Sequence, residues 1–96
     1  MGKSGNSRII RRSRAKTRGG YGAKDQYLLE TKEGTYLQSY NSIVAFIGND
    51  GKIKVGKDFN YSRTTARYVT QFLNMRIKEI EKDIRDRKIT IADLVV

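Results

Sequence analysis

The sequence predicts an α+β fold: a four-stranded antiparallel β-meander packed on one long C-terminal α-helix, with a disordered basic N-terminal arm. Three observations predict it. Residues 1–24 are basic and contain no acid, residues 27–55 hold short apolar runs separated by tight turns, and residues 62–87 carry apolar side chains at spacings of three and four. We therefore divide the chain into an arm, residues 1–24, and a single domain, residues 25–96.

The positive charge is concentrated in the arm. The 96 residues include 20 Lys and Arg against 10 Asp and Glu, a net charge of +10, and residues 1–24 contribute eight of the bases. Few arm residues are apolar, so ordering this segment would bury too little surface to offset its entropy cost, and we expect it to be disordered. Its charge favours a polyanionic partner.

Four segments have the apolar, branched or aromatic composition of strands: 27–32, 35–40, 42–47 and 52–55. The third is apolar on both faces, which is typical of a buried strand. Glu33–Gly34 and Asp50–Gly51 have the composition of tight hairpin turns. Strands joined in this way predict an antiparallel meander.

The predicted helix begins at Ser62, a favourable N-cap residue, and its apolar stripe consists of Ala66, Val69, Leu73, Ile77, Ile80 and Ile84. It spans about 26 residues, or roughly 39 Å. Its charged second half would extend past a small sheet, which makes a homodimer through this helix possible. A short C-terminal element, residues 89–96, fits either a strand near Ile89–Ile91 or a helix capped by Thr90–Asp93.

Several function classes are excluded or disfavoured by composition. With no His and no Cys, the chain has no Ser-His or Cys-His pair, no thiol nucleophile and no imidazole metal ligand. The turn acids Asp25, Asp50 and Asp58 lack metal-ligand spacing, and Gly48–Lys52 lacks the length of a P-loop. We therefore expect no enzyme, no cofactor and no metal site.

Localisation follows from what the arm lacks. It has no apolar signal-peptide region, and no segment of the chain is apolar enough to span a membrane. We expect no membrane partner and a place in the cytoplasm of a bacterial host cell. An acid-free, Arg- and Ser-rich start also fits a mitochondrial transit peptide or a nuclear signal, both of which require a eukaryotic source.

The arm supplies most candidate binding residues: Arg8, Arg11, Arg12, Arg14, Lys16, Arg18, Tyr21 and Lys24. Arginine and lysine neutralise phosphates and release counterions, and the Arg18–Gly22 stretch resembles a single RGG element in which tyrosine stacks on a base. The alternative is a solubilising tail without a ligand.

A second group of candidates opens the predicted helix: Ser62, Arg63, Thr64 and Arg67. Hydroxyls, free amides and two cations at a helix N-terminus suit a phosphate. A well-capped helix with a solvated polar face explains them equally, and a helix-turn-helix is incomplete because no first helix precedes. The aromatic residues Tyr27, Tyr36, Tyr40 and Phe46 fit a base-stacking platform, although strand spacing favours a core role.

Three segments between residues 27 and 75 form a recognisable pattern: Leu37–Ala45, Tyr61–Thr65 and Phe72–Leu73. On these segments, about residues 27–75 resemble a family of small uncharacterised phage and mobile-element proteins. It implies a β-meander with a helix and brings no catalytic residues. A basic disordered arm before a compact α/β body is also similar in design to certain type II-A anti-CRISPR proteins.

These features together lead to one functional hypothesis with two rivals. We expect a non-enzymatic phage-type protein that binds nucleic acid or a guide-loaded Cas nuclease, acting as an inhibitor of a Cas9-type effector by occupying a nucleic-acid channel. The rivals are a small DNA- or RNA-binding regulator, which could dimerise through the long helix, and a structural phage accessory protein.

Overall fold

The computed structural model describes residues 8–16 and 22–95, which form one sheet and two helices packed against it. The strands are β1 (Ile9–Lys16), β2 (Gly22–Thr31), β3 (Gly34–Ser39), β4 (Ser42–Gly48), β5 (Ile53–Val55) and β6 (Ile89–Ile91). The helices are α1 (Arg63–Leu73) and α2 (Ile77–Arg85). No helix in the described ranges is long and apolar enough to cross a membrane.

The strands lie in the sheet in chain order, from β1 to β6. The first five pair antiparallel, whereas β6 runs parallel to β5, with Ile89 beside Ile53 and Ile91 beside Val55. A parallel neighbour requires a crossover connection, which α1 and α2 provide. The four predicted strands are present as β2 to β5, but the predicted four-stranded meander is wrong, because the sheet is mixed and has six strands.

The helices cover one face of the sheet, where the larger core lies. Leu37, Ala45 and Val55 lie side by side on β3, β4 and β5. Buried helix residues pack with them: Tyr68, Val69, Leu73 and Ile80. Val44 joins the same core because β4 bulges between its pairings to β3, so that two successive residues of β4 serve one face.

A smaller apolar cluster lies on the other face of the sheet. Leu29, Tyr36 and Phe46 are buried there, and Leu94 of the C-terminal segment packs against them. The ring centroids of Tyr36 and Phe46 are 4.4 Å apart. These two aromatic residues are therefore core, as their strand spacing favoured, and Tyr27 packs beside them partly buried.

The predicted single helix over 62–87 is wrong, because the chain divides into α1 and α2 at Asn74. This residue has φ 56° and ψ 44°, the left-handed conformation that asparagine adopts more readily than most residues with a Cβ. The amides of Asn74 and Met75 donate to the carbonyls of Gln71 and Thr70, which ends α1. The apolar stripe continues on the far side of the break, so its spacing did not reveal the break.

The second helix packs on the molecule and does not extend beyond it. Ile80 is fully buried in the larger core. At the start of α2, the Arg76 amide donates to Glu79 Oε1 at 2.8 Å. The homodimer hypothesis assumed a free second half of a long helix, and the described structure has no such element.

The predicted disorder of the arm is wrong for the arm residues that the structure describes. Ile9–Lys16 forms β1, which pairs antiparallel with β2, and Ala15 is buried in the larger core. An edge strand gains much of its order from backbone hydrogen bonds to its neighbour, so a composition poor in apolar residues does not prevent it. Residues 1–7 and 17–21 lie outside the described residues.

Two substitutions at Asn74 test the helix break. Asn74→Gly should leave the free energy of unfolding within about 0.5 kcal/mol of the original, since glycine takes the left-handed conformation freely, and Asn74→Ala should lower it by about 1 kcal/mol. Urea unfolding measures both. An uninterrupted helix would reverse the order, because alanine is favoured over glycine inside a helix by about 1 kcal/mol.

A buried and an exposed isoleucine test the position of α2. Ile80→Ala should lower the free energy of unfolding by about 2–5 kcal/mol, because it opens a cavity in the core. Ile91, which is 45% exposed, provides the matched control, and Ile91→Ala should cost clearly less. Equal, small losses in thermal or urea unfolding would mean that α2 does not pack on the sheet.

Candidate functional site

Four arginines follow the edge of the sheet, on β1 and immediately before it: Arg8, Arg11, Arg12 and Arg14. All four side chains are exposed. β1 is the first strand in the sheet order, so no described strand covers its outer edge. The row from Arg8 to Arg14 is about 20 Å long at the usual rise of a strand, which matches several phosphates of a nucleic-acid backbone.

Strand alternation divides these arginines between the two faces of the sheet. Arg12 lies opposite Leu29 and Arg14 opposite Tyr27, on the face away from the helices. The guanidinium carbon of Arg12 lies 4.4 Å from the centroid of the Tyr27 ring, a cation–π contact. Tyr27 therefore positions Arg12, a role that the sequence analysis did not predict for it.

Little negative charge near the arginines of β1 offsets their positive charge. None of them forms an ion pair with a described residue; the ion pair that the structure does show, between Lys57 Nζ and Asp93 Oδ1 at 3.5 Å, lies elsewhere. Arg11 lies near Glu30 across the ladder without forming an ion pair with it, and the residues opposite Arg12 and Arg14 are uncharged. Their guanidinium groups therefore keep donors for an anionic ligand.

The N-terminus of α1 contains the second group of candidates. Ser62 Oγ accepts a hydrogen bond from the Thr65 amide at 3.1 Å, which confirms Ser62 as the N-cap. Arg63, Thr64 and Arg67 are exposed, and the first turn contains no acid. Inside, the hydroxyls of Thr65 and Ser39 lie 2.9 Å apart and join the helix start to β3.

The end of β1 and the start of α1 lie toward the same end of the sheet, whereas Arg8 and Arg11 lie toward the other end. β1 finishes where Lys16 pairs with Gly22. At the same end, the Tyr40 amide donates to the Asp25 carbonyl at 2.7 Å. The residue before Tyr40, Ser39, contacts the Thr65 hydroxyl at the start of α1. The backbones of Lys16 and Lys24 belong to β1 and β2, whereas Arg18 and Tyr21 lie outside the described residues.

Two exposed tyrosines at this end were not predicted as a pair. Tyr40 is 51% and Tyr61 is 79% exposed, and both line one cavity beside the start of α1. Tyr40 is therefore not core, although its strand-like spacing favoured that role. The available signal was local: Tyr61 directly precedes the N-cap, and Tyr40 directly precedes Asn41, a typical turn residue.

The described residues offer no metal centre, since no group of three or more His, Cys, Asp or Glu side chains is placed to hold an ion. The arrangement they do offer is a row of cations on a strand edge and a second group of hydroxyls and cations at a helix start. Such groups bind anions by charge-assisted hydrogen bonds.

Residues 7–91 match a family that is described as a family of unknown function, DUF8033. The chain belongs to this family. The DUF8033 match includes all eight strands and helices of the described residues, whereas the resemblance over residues 27–75 leaves out β1, α2 and β6. No curated protein and no solved structure matched this DUF8033 chain. Its function is therefore argued from its own residues.

Two neighbouring threonines test how the start of α1 is fixed. Thr65→Val removes the hydroxyl that contacts both Ser39 and Ser62. It should lower the free energy of unfolding by about 1–3 kcal/mol, because the buried Ser39 hydroxyl loses its partner. Thr64 is exposed, so Thr64→Val is the control and should change the free energy of unfolding by less than about 0.5 kcal/mol. Equal effects in urea unfolding would contradict the buried contact.

Proposed function

We propose that this DUF8033 protein is a non-enzymatic nucleic-acid-binding protein whose β1 edge contacts the phosphate backbone. The observation that carries the proposal is the row of four exposed arginines, Arg8, Arg11, Arg12 and Arg14, without an ion pair among the described residues. Phosphates are the partners that such a row suits best, since each contact releases condensed counterions from the nucleic acid.

The order of β1 supports the proposal. In a disordered arm, each arginine would lose backbone freedom on binding, and that loss would oppose the contact. On a paired strand the backbone is already ordered, and Tyr27 restrains the Arg12 side chain through the ring contact. Folding therefore already removes part of the conformational entropy that these groups would lose on binding, and this strengthens each phosphate contact.

A strand edge also needs protection against pairing with other chains, and charged residues provide it. This alternative explains exposed arginines without any ligand. It predicts that binding to nucleic acid depends only on the total charge of the protein and not on where that charge lies. Substitutions that remove equal charge from different parts of the surface separate the two explanations.

The nuclease of the inhibitor hypothesis is one target that this proposal allows. A guide-loaded Cas9-type nuclease contains exposed nucleic acid that the β1 arginines would suit, and a phage-type protein would meet it in the bacterial cytoplasm. Disorder of the arm no longer supports the inhibitor hypothesis, since Ile9–Lys16 is a strand. A cleavage assay of the guide-loaded nuclease tests this target, and unchanged cleavage at saturating protein would exclude it.

Removing two cations from β1 tests the proposal. Arg12→Gln with Arg14→Gln should weaken binding to a labelled DNA duplex. It should also lower the slope of log K against log salt by about 0.9 for each phosphate that is no longer neutralised, and so by roughly 2. Fluorescence anisotropy across a salt series measures both quantities.

The matched control removes two exposed cations from α2, Lys78→Gln with Lys82→Gln, and changes the net charge by the same amount. This variant should keep most of the original affinity and salt slope. If both double variants weaken binding equally, the effect is one of net charge, and β1 is not the phosphate-binding edge.

A further inference from the structure

A cavity of about 470 Å³ opens beside the start of α1, at the end of the sheet where β1 finishes. Tyr40 and Tyr61 line it together with Asn41, Asp58 and the hydroxyl-bearing Ser39 and Thr65. Its volume lies within the range of small-molecule pockets, about 300–1,000 Å³. The combination of two aromatic rings with hydroxyl, amide and carboxylate groups suits a flat ligand that has a polar edge.

Tyr61 has no packing role that explains its position. A residue directly before the N-cap often packs its side chain on the fourth helical residue, here Ala66. Tyr61 is instead 79% exposed. Its backbone is fixed on both sides, because its amide donates to the Asp58 carbonyl at 3.1 Å and Ser62 caps α1 immediately after it. The ring is therefore presented to solvent from an ordered turn.

Tyr40 is held in an unusual backbone conformation. Its φ of 57° lies in the left-handed region, which disfavours an aromatic residue. Hydrogen bonds at both of its backbone groups maintain this conformation: its amide donates to the Asp25 carbonyl, and its carbonyl accepts from Gln38 Nε2, each at 2.7 Å. Strain that the surrounding structure maintains is common at binding sites.

Two cations on either side of Thr65 in the sequence suit the phosphate of a nucleotide. Arg63 and Arg67 are exposed and lie one turn apart on α1, two and six residues after Tyr61. The acid that lines the cavity, Asp58, would repel a phosphate but accepts hydrogen bonds from the N–H groups of a base edge. The cavity and the first turns of α1 thus provide aromatic and polar groups, which suit a base, and two exposed cations, which suit a phosphate.

We infer that this cavity binds an unpaired nucleobase, which stacks on Tyr61 beside Tyr40 while its phosphate contacts Arg63. The inference rests on the proposed nucleic-acid function and gives the ligand class: single-stranded nucleic acid, because a base in a duplex is not free to enter a pocket. Arg12 and Arg14 lie on the other face of the sheet and would contact phosphates further along the same nucleic-acid strand.

The experiment compares two single-stranded oligonucleotides of equal length, oligothymidylate and an abasic strand that has the same phosphates without bases. Fluorescence anisotropy should show the full chain binding oligothymidylate about tenfold or more tightly than the abasic strand, the range expected for stacking on an aromatic side chain. Tyr61→Ala should remove most of this difference, and Tyr61→Phe, which keeps the ring, should preserve it.

The arginine variant separates this inference from the proposed function. Arg12→Gln with Arg14→Gln should weaken binding of both strands by a similar factor, because both carry the phosphates. Equal affinity of the original chain for the two strands overturns the base pocket, and so does a Tyr61→Ala variant that still prefers bases as Tyr61→Phe does. A base preference that disappears with Tyr61, alongside binding that ignores the β1 arginines, supports the pocket and overturns the proposed role of β1.

Discussion

The parallel pairing of β6 with β5 is the constraint on which the rest of the architecture depends. Because Ile89 lies beside Ile53, the chain must return from the end of β5 to the level of its start. A continuous helix of the predicted length would carry it roughly 39 Å, whereas β5 has three residues and spans only about 10 Å. The left-handed turn at Asn74 divides the helix and permits the return.

Local signals explain which elements the sequence predicted correctly. The four strands of the meander were predicted because alternation and turn residues lie within each hairpin, and the Ser62 cap was predicted because the capping contact spans three residues. β1 depends instead on pairing with β2, a contact that composition does not report. The Asn74 break leaves the apolar spacing unchanged, so periodicity alone favoured one helix.

The candidate site likewise contains residues that local sequence signals reveal and contacts that they do not. The arginines and the α1 residues were named from the sequence because charge and capping are visible in it, although the arginines were assigned to a disordered arm. The contact of Arg12 with Tyr27 follows from strand register, and the shared cavity of Tyr40 and Tyr61 joins a turn after β3 to a turn before α1. Neither arrangement has a signature within one stretch of sequence.

The outer edge of β1, which no described strand covers, has a consequence for how copies of the protein behave together. Its outward backbone groups form a template to which a further strand can add. Two copies that paired antiparallel along this edge would bring arginines close to arginines, and such like-charge neighbours destabilise a ladder. The same cations that we propose to bind a phosphate backbone would therefore keep free copies apart. On that proposal, solubility and ligand occupancy are coupled through β1, because a bound polyanion would neutralise the repulsion that protects the edge.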